Sequence, residues 1–430
     1  MFKAPPALPN ELVDAIISYV ADKETLRNCA LVHRDLLPAS RHALLGCVFL
    51  TAPAAWDSFV GGVIHSEEMR PWLASIQRLS FIDPLVHTHY TDDKCTPVGP
   101  ISAWRAQYIV PILASRLPNL PSLFLCVDWA RCQPHPTTFG SFSLFTSLRQ
   151  LQLSDCSFPS FCTFRRLLVS LPALKNLDCQ GVHWPYAPQP YIVALPSSRP
   201  ALESFGVCFS CRSCTFALLE WLIHTPTSST LIAIEISPNF PEVQPNHPII
   251  DPTKNLDYYA KIFAPGIRKA HLKSDIEESP CFIDLSHFAA LEWLHIDIGS
   301  IDWSRTADML QALPSRLETL HIQVREDGAT HDNDLIMEEK DQFKAMKLDG
   351  LNLLDHALSR DNFKDLSYLS ICIWGYEDAL SPLREGTIKS IQQKLPTSYK
   401  RKMLHIQLDF QYLTPHSSFS KCSESMEPFA

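Results

Sequence analysis

Residues 291–296 read Leu-Glu-Trp-Leu-His-Ile, and residues 317–322 read Leu-Glu-Thr-Leu-His-Ile. Apolar residues begin and end each phrase, and its second half alternates apolar and polar residues, as in a strand with one buried face. Most neighbouring copies of the phrase begin 24 to 29 residues apart. The segments between them have helical periodicity, which predicts a repeated unit of one short strand and one return helix. Further copies lie at residues 76–81, 120–125, 148–153, 174–179, 202–207, 231–236, 267–272 and 366–371, with a weaker one at 404–408.

One such unit cannot bury its own apolar strand residues, whereas stacked units share a continuous core. The phrase resembles irregular leucine-rich repeats, and the resemblance implies an α/β leucine-rich-repeat solenoid of parallel strands with return helices. The asparagine that usually follows the phrase is absent; Cys126, Cys156 and Cys208 lie near its place, but not in one register. A generic α/β fold is the alternative, and it is weaker because such a sheet does not require one phrase at near-constant spacing.

Residues 8–50 predict three short helices. Asp22 is placed to cap the second helix, and Pro38 is placed to begin the third, which would extend through Val48. A unit of this size cannot bury all of its aliphatic surface by itself. It is therefore either the start of a larger helical domain or a docking module with an apolar interface.

This N-terminal segment resembles an F-box, in the form common in fungal proteins. The resemblance rests on Leu-Pro-x-Glu-Leu at residues 8–12, Cys-Ala-Leu-Val at residues 29–32 and Leu-Pro at residues 37–38. Many F-boxes carry a tryptophan near the position where Leu36 and Leu37 stand here. The resemblance implies docking on the adaptor subunit of an SCF-type cullin ubiquitin ligase through Leu8, Pro9, Leu12, Ile16, Ile17, Leu26, Leu31, Val32 and Leu36.

The resemblance also implies a function. The chain would be the substrate-recognition subunit of that ligase, in which the repeat surface holds a target protein near the ubiquitin-carrying enzyme. Such a subunit acts by proximity and supplies no catalytic residue. The alternative is a non-ligase leucine-rich-repeat scaffold whose N-terminal helices cap the array. An enzyme with an unrecognised site is the weakest of the three hypotheses.

The composition of the chain limits which classes of binding partner and which cellular compartment we expect. The formal charge of −9 and the pI near 6.0 disfavour nucleic acid as the main partner, because phosphate binding requires a basic face. The 14 cysteines are scattered without a disulfide framework, so we expect reduced thiols in an intracellular protein of the cytoplasm or nucleus. No segment is apolar and long enough to predict a membrane span.

The sequence predicts no catalytic or metal site and no cofactor. The triplet Cys208-x-x-Cys211-x-x-Cys214 has thiolate spacing that could bind zinc, but no nearby cysteine or histidine completes four ligands. Phosphate-binding loops and nucleophile motifs are absent from the sequence. The acidic residues of 325–350 fit a solvated insertion better than a calcium loop.

These patterns divide the chain into four segments. Residues 1–50 form the F-box-like module, and residues 51–115 form a helical connector with a first irregular repeat. Residues 116–412 form the repeat array with its acidic insertion, and residues 413–430 are Ser-rich and expected to be disordered.

Three histidines occupy the same position of consecutive phrases, namely His271, His295 and His321. Parallel strands would stack their rings as a column on the concave face, beside Trp293 and Tyr368. We expect these five residues to bind the substrate protein, because exposed aromatic residues are favoured as binding anchors. A further expectation is that the histidines become cationic near neutral pH and attract an acidic or phosphorylated segment.

Overall fold

The computed structural model describes residues 9–411 except 52, 84–109, 118, 133, 186–196, 209–211, 238–255, 275–282, 299–302, 326–347, 349 and 377–383. The described residues form two compact units, one ending at Leu231 and the other beginning at Ile232. The tail at 413–430, the insertion apart from its ends, and Cys211 lie outside the described residues.

Each unit contains a parallel sheet whose strands follow one another in chain order. In the first unit, adjacent strands pair in parallel from β1 to β6. These strands are β1 (Cys47–Leu50), β2 (Arg78–Ile82), β3 (Ser122–Cys126), β4 (Gln150–Ser154), β5 (Asn176–Gln180) and β6 (Ser204–Cys208).

In the second unit, the strands pair in the same way from β7 to β12. They are β7 (Ala233–Ser237), β8 (Lys269–Ser274), β9 (Trp293–Ile298), β10 (Thr319–Arg325), β11 (Tyr368–Tyr376) and β12 (Leu404–Gln411). The chain is an α/β leucine-rich-repeat solenoid, as the repeated phrase predicts.

The apolar positions of the phrase form the core of each sheet. Leu294 and Ile296 in β9 are buried, as are their register partners Leu320 and Ile322 in β10. Residues between them, such as His295, are only partly buried. The weak last copy retains one buried phrase residue, Leu408, in the described part of β12.

Helices return the chain from one strand to the next and bury one side of each. The helix Phe161–Ser170, for example, buries Phe161, Phe164, Leu167 and Leu168, and Ser160 caps its N-terminus. The helices of the described residues include α1 (Asn10–Ser18), α2 (Lys23–Val32), α3 (Leu37–Gly46), α4 (Pro53–Phe59), α5 (Trp129–Cys132), α6 (Pro136–Gly140), α7 (Phe161–Ser170), α8 (Arg212–Leu222), α9 (Thr227–Thr230), α10 (Leu256–Phe263), α11 (Trp303–Gln311), α12 (Leu351–Leu358), α13 (Arg384–Lys394) and α14 (Pro396–Lys400).

The N-terminal helices begin where the sequence predicts. The Asp22 carboxylate accepts a hydrogen bond from the Thr25 amide at 2.6 Å and caps α2, while Pro38 lies in the first turn of α3. The prediction that Val48 continues the third helix is wrong, because α3 ends at Gly46 and Val48 lies in β1. Its Cys-Val-Phe-Leu sequence favours a strand, and β1 gains backbone pairing with β2.

Cys156 lies just after β4, near the place where many leucine-rich repeats carry an asparagine. Its thiol is buried and contacts the Leu125 carbonyl oxygen of the preceding repeat at 3.2 Å. Burial raises the pKa of this thiol and also that of Cys179, and it raises the pKa of Cys126 to about 12. These three thiols therefore stay protonated and serve packing.

Candidate functional site

The first candidate surface is apolar and lies on the N-terminal helices. Leu12 and Ile16 of α1 are 51% and 56% exposed, and Tyr19 just after the helix is 89% exposed. Leu31 and Val32 at the end of α2 are 84% and 76% exposed. We call these five residues the apolar patch.

The structure separates the predicted adaptor contacts into surface and core residues. Ile17 and Leu26 lie in the small core of the three helices, and Leu36 packs partly against it. Pro9 is exposed, whereas Leu8 lies outside the described residues. Ile17 and Leu26 therefore stabilise the module as core residues and do not lie on its surface. Tyr19 belongs to the patch instead, as its spacing from Leu12 and Ile16 along the helix indicates.

The second candidate surface is a row of rings in the second unit. The backbone register aligns His271 of β8 with His295 of β9, and His295 with His321 of β10. The same row continues to Glu235 in β7 and, through Ser370 of β11, to His405 in β12. The predicted column of three histidines is thus present.

Ring contacts run along this row without interruption. The centroids of His271 and His295 are 4.2 Å apart, and those of His295 and His321 are 5.8 Å apart. Tyr368 continues the series, with its ring 5.1 Å from His321 and 4.4 Å from His405. Sequence analysis missed His405 because the phrase at 404–408 is shortened.

Trp293 lies beside the row and contacts two of its members. Its ring centroid is 5.8 Å from that of His295 and 5.6 Å from that of His321. The structure therefore brings all five predicted substrate-binding residues, His271, Trp293, His295, His321 and Tyr368, into one continuous set of rings. We call this set, together with His405, the ring strip.

A carboxylate lies at the β7 end of the ring strip. Glu235 Oε1 is 3.5 Å from His271 Nδ1, and the Lys273 ammonium donates a hydrogen bond to the same oxygen. Burial alone would raise the pKa of Glu235. The hydrogen bonds and positive charges of His271 and Lys273 outweigh it and lower that pKa to about 2. Glu235 is therefore ionised, and His271 and Lys273 compensate its negative charge.

The histidines in the middle of the strip are neutral. Burial, followed by the charges of His271, His321 and Lys273, lowers the pKa of His295 to about 3. The expectation that the column becomes cationic near neutral pH is wrong for His295, because its packed ring is poorly solvated and neighbouring charges penalise a proton on it. Burial shifts the pKa of His321 in the same direction.

Metal ligation has no support in the described part of the chain. It contains no group of three or more histidine, cysteine, aspartate or glutamate side chains arranged to hold an ion. Of the cysteine triplet, Cys214 is buried in α8 and Cys208 is half-buried in β6. The ring strip stacks its imidazoles side by side, whereas metal ligands must converge on one point.

No protein-family model matches the sequence, and no curated protein matches it. Among solved structures, the chain is similar to TLR13 in its complex with ssRNA13, at 17% identity over 69% of this chain and 34% of that chain, with a TM-score of 0.35. It is also similar to the internalin InlF of Listeria monocytogenes, at 12% identity over 94% of each chain, with a TM-score of 0.31. The chain thus spans about a third of the TLR13 chain.

The helices of the described residues are all too short or too polar to cross a membrane.

Proposed function

We propose that the chain is a substrate-recognition subunit of an SCF-type cullin ubiquitin ligase. In this proposal the apolar patch docks the adaptor subunit, and the strand face of the repeats binds a target protein. The observation that carries the proposal is the exposure of Leu12, Ile16, Leu31 and Val32 on a module that already has its own core. The F-box resemblance of residues 8–50 supplies the class of partner.

Solvent exposure of these side chains is unfavourable unless a partner covers them. Burying a leucine or isoleucine side chain contributes roughly 1.5–3 kcal/mol, so a contact that covers Leu12 and Ile16 together gains several kcal/mol. Isolated exposed apolar residues are common on protein surfaces, but several large ones within one small module are typical of interaction sites.

The scaffold hypothesis also has an observation in its favour. Helix α3 packs on the 3-10 helix Arg70–Ser75, and the Gly46 carbonyl accepts a hydrogen bond from the Gln77 amide at 2.9 Å. The N-terminal module therefore covers the start of the first sheet, as a cap does. Capping leaves the exposure of Leu12 and Ile16 unexplained, however, because a cap buries its apolar face against the array.

In the proposed role the chain contributes no chemical step. It binds two proteins and raises the local concentration of the target at the ubiquitin-carrying enzyme, which is catalysis by proximity. The strand face and the apolar patch are then the two functional surfaces, and substitutions in one should leave binding at the other unchanged.

Co-purification of the adaptor with the full chain tests the proposal. The Leu12→Glu, Ile16→Glu double variant should lose the adaptor, because two carboxylates would have to be buried in an apolar contact. Leu144→Glu is the matched control, since Leu144 is also about half exposed, at 49%, but lies outside the module. Full recovery of the adaptor by the double variant, or no recovery by the unaltered chain, would favour the scaffold.

A further inference from the structure

The last strand of the second unit gains less from burial than the strand before it. In β11, Leu369 and Ile371 are fully buried, whereas their register partners in β12, Leu404 and Ile406, are only partly buried. Burial of apolar surface is the main stabilising contribution to a strand of this kind. Strand β12 therefore depends more than β11 on contacts made by the residues next to it in the chain.

Arg401 lies shortly before β12, and its side chain binds backbone carbonyl groups of the preceding repeat. Its guanidinium Nη2 donates hydrogen bonds to the carbonyl oxygens of Phe363, Lys364 and Leu366, at 2.7, 3.0 and 3.3 Å. Nη1 donates to the Leu358 carbonyl oxygen at 3.5 Å. These carbonyls lie at the end of α12 and in the segment that leads to β11, so one side chain joins the last two repeats.

Asp355 makes the reciprocal contact from α12. Its carboxylate accepts hydrogen bonds from the amides of Thr397 and Ser398 and from the Ser398 hydroxyl, in the first turn of α14. Both Asp355 and Ser398 are buried. Helix α12 thus supplies the carboxylate that caps the start of α14, and Arg401, just after α14, supplies the cation at the end of α12. We call the pair of Asp355 and Arg401 the latch.

A turn with an unfavourable backbone conformation separates the latch from β12. Lys402 is left-handed, with φ of 57°, which is unfavourable for a residue with a Cβ atom. The next residue, Met403, is buried, and its carbonyl oxygen accepts a hydrogen bond from the Leu369 amide at 2.8 Å. Arg401 on one side and Met403 on the other hold Lys402 in this conformation. Pairing of β12 with β11 therefore begins directly beside the latch.

We propose that α14 and β12 form a terminal unit that opens locally, and that the latch holds this unit closed. Proteins open in contiguous units that differ in stability, and those with little apolar burial open most readily. The terminal unit carries His405, whose ring centroid is 4.4 Å from that of Tyr368. Opening removes His405 from the ring strip, so Arg401 is a positioning residue for that end of the surface.

Only one end of the ring strip can be lost in this way. Among the strands that carry the strip, β8 to β11 each pair with a neighbour on both sides, whereas the described pairing of β12 is with β11 alone. Removal of β12 therefore leaves the stacking of His271, His295 and His321 in place. The inference concerns the conformation of the second unit, and it holds whether or not the ring strip binds a target or the apolar patch binds an adaptor.

Hydrogen exchange of the full chain, followed by mass spectrometry of its peptides, tests the inference. Arg401→Ala should speed amide exchange in residues 404–411 by about tenfold or more, because the loss of hydrogen bonds from a charged group favours the open state. The amides of residues 293–298 in β9 should exchange as in the unaltered chain. Arg401→Lys should restore part of the protection, because an ammonium group donates to carbonyls but lacks the fork that also reaches Leu358.

Two further variants separate the latch from other charged contacts. Asp355→Ala removes the second member of the latch and should speed exchange in residues 404–411 as Arg401→Ala does. Arg316→Ala is the matched control, because it removes an arginine of the same unit whose side chain is 79% exposed in its ion pair with Asp365. It should leave exchange unchanged in both β9 and β12.

NMR of the His405 ring protons measures the position of that ring directly. These resonances are assigned by their absence in His405→Gln. The ring current of Tyr368 shifts them in the unaltered chain, and Tyr368→Leu gives their position without that shift. Arg401→Ala should move them most of the way to the position seen in Tyr368→Leu, whereas Arg316→Ala should not move them.

Three results would overturn the inference. In the first, Arg401→Ala leaves the exchange of residues 404–411 unchanged. In the second, it speeds the exchange of residues 293–298 to the same extent, which means that the second unit opens as a whole; a variant that fails to fold gives this result. In the third, the His405 resonances of Arg401→Ala keep the position that they have in the unaltered chain.

Discussion

The imidazole of His271 stacks on that of His295, with ring centroids 4.2 Å apart and ring planes 12° from parallel. Two positive charges at this separation would repel each other strongly in a poorly solvated site. His271 faces the Glu235 carboxylate, whereas His295 lies between two other imidazoles. The stacking of the two rings therefore depends on a neutral His295, whose pKa is lowered to about 3.

The first prediction concerns pH and His295. Its folded-state pKa, lowered to about 3, lies below the ordinary value of 6.5, so protonation favours the unfolded chain. The stabilising contribution is complete above about pH 6.5 and is lost as pH falls toward the folded-state pKa. Between pH 7 and pH 5 this amounts to up to about 2 kcal/mol. Denaturant melts of His295→Gln should show a smaller loss over that range than melts of the unaltered chain.

NMR titration of the His295 ring provides the direct check. Its carbon-bound protons should show no titration step between pH 7.5 and pH 5. A step near pH 6.5 would mean that the ring is solvated and that the stacked pair does not persist in solution.

The second prediction compares two neighbouring residues of β4. Leu151 is fully buried, whereas the side chain of Gln152 points to the partly exposed face. Leu151→Ala should lower the free energy of unfolding by about 2–5 kcal/mol, because it leaves a cavity. Gln152→Ala should change it by less than about 0.5 kcal/mol. Similar losses in urea melts of the two variants would contradict the strand register.

The strands could be predicted from the sequence because their signal is local. Alternation within each phrase fixes which side chains point inward, and a near-constant spacing places the strands side by side in one order. The register that aligns His271, His295 and His321 follows directly from aligning the phrases. The cap at Asp22 is equally local, since it needs only a carboxylate before a helical segment.

Side-chain burial, protonation and ion pairing depend on tertiary contacts that no sequence pattern reveals. Ile17 and Ile16 are chemically identical neighbours, yet one is buried and the other is 56% exposed, because only α1 packing on α3 decides between them. The protonation of His295 depends on burial and on rings from two other strands. Glu318 resembles Glu292 in sequence, and only the cross-strand geometry pairs Glu292 with Arg268, at 2.6 Å.

The third prediction concerns a buried carboxylate that joins two helices. Asp355 of α12 accepts hydrogen bonds from the Thr397 amide, the Ser398 amide and the Ser398 hydroxyl, each at 3.0 Å. It therefore caps α14 from a distant part of the sequence. Asp355→Ala should lower the free energy of unfolding by about 2–4 kcal/mol, because it removes the cap and leaves buried donors unsatisfied.

Asp365→Ala serves as the comparison for Asp355. Asp365 pairs with Arg316 at 3.4 Å, but its side chain is 52% exposed. Exposed ion pairs contribute little, so this variant should stay within about 0.5 kcal/mol of the unaltered chain. Equal losses for the two aspartates in urea melts would show that the Asp355 contacts do not stabilise the C-terminal helices.

The last prediction concerns the turns that follow β4 and β5. Asp155 and Gly181 occupy equivalent positions there, and both have left-handed backbone, with φ of 50° and 62°. A Cβ atom on Gly181 would collide with Oδ1 of Asp155. Gly181→Ala should therefore lower the free energy of unfolding by at least about 1–2 kcal/mol from its backbone conformation alone, and the collision adds to that loss.

Gly140→Ala is the opposite case, because α6 leaves open space at that position and alanine favours a helix. It should be neutral or stabilising by up to about 1 kcal/mol. Thermal melts of the two variants check both signs, and a Gly181→Ala chain as stable as Gly140→Ala would mean that the strand-to-helix turn does not require the left-handed residue.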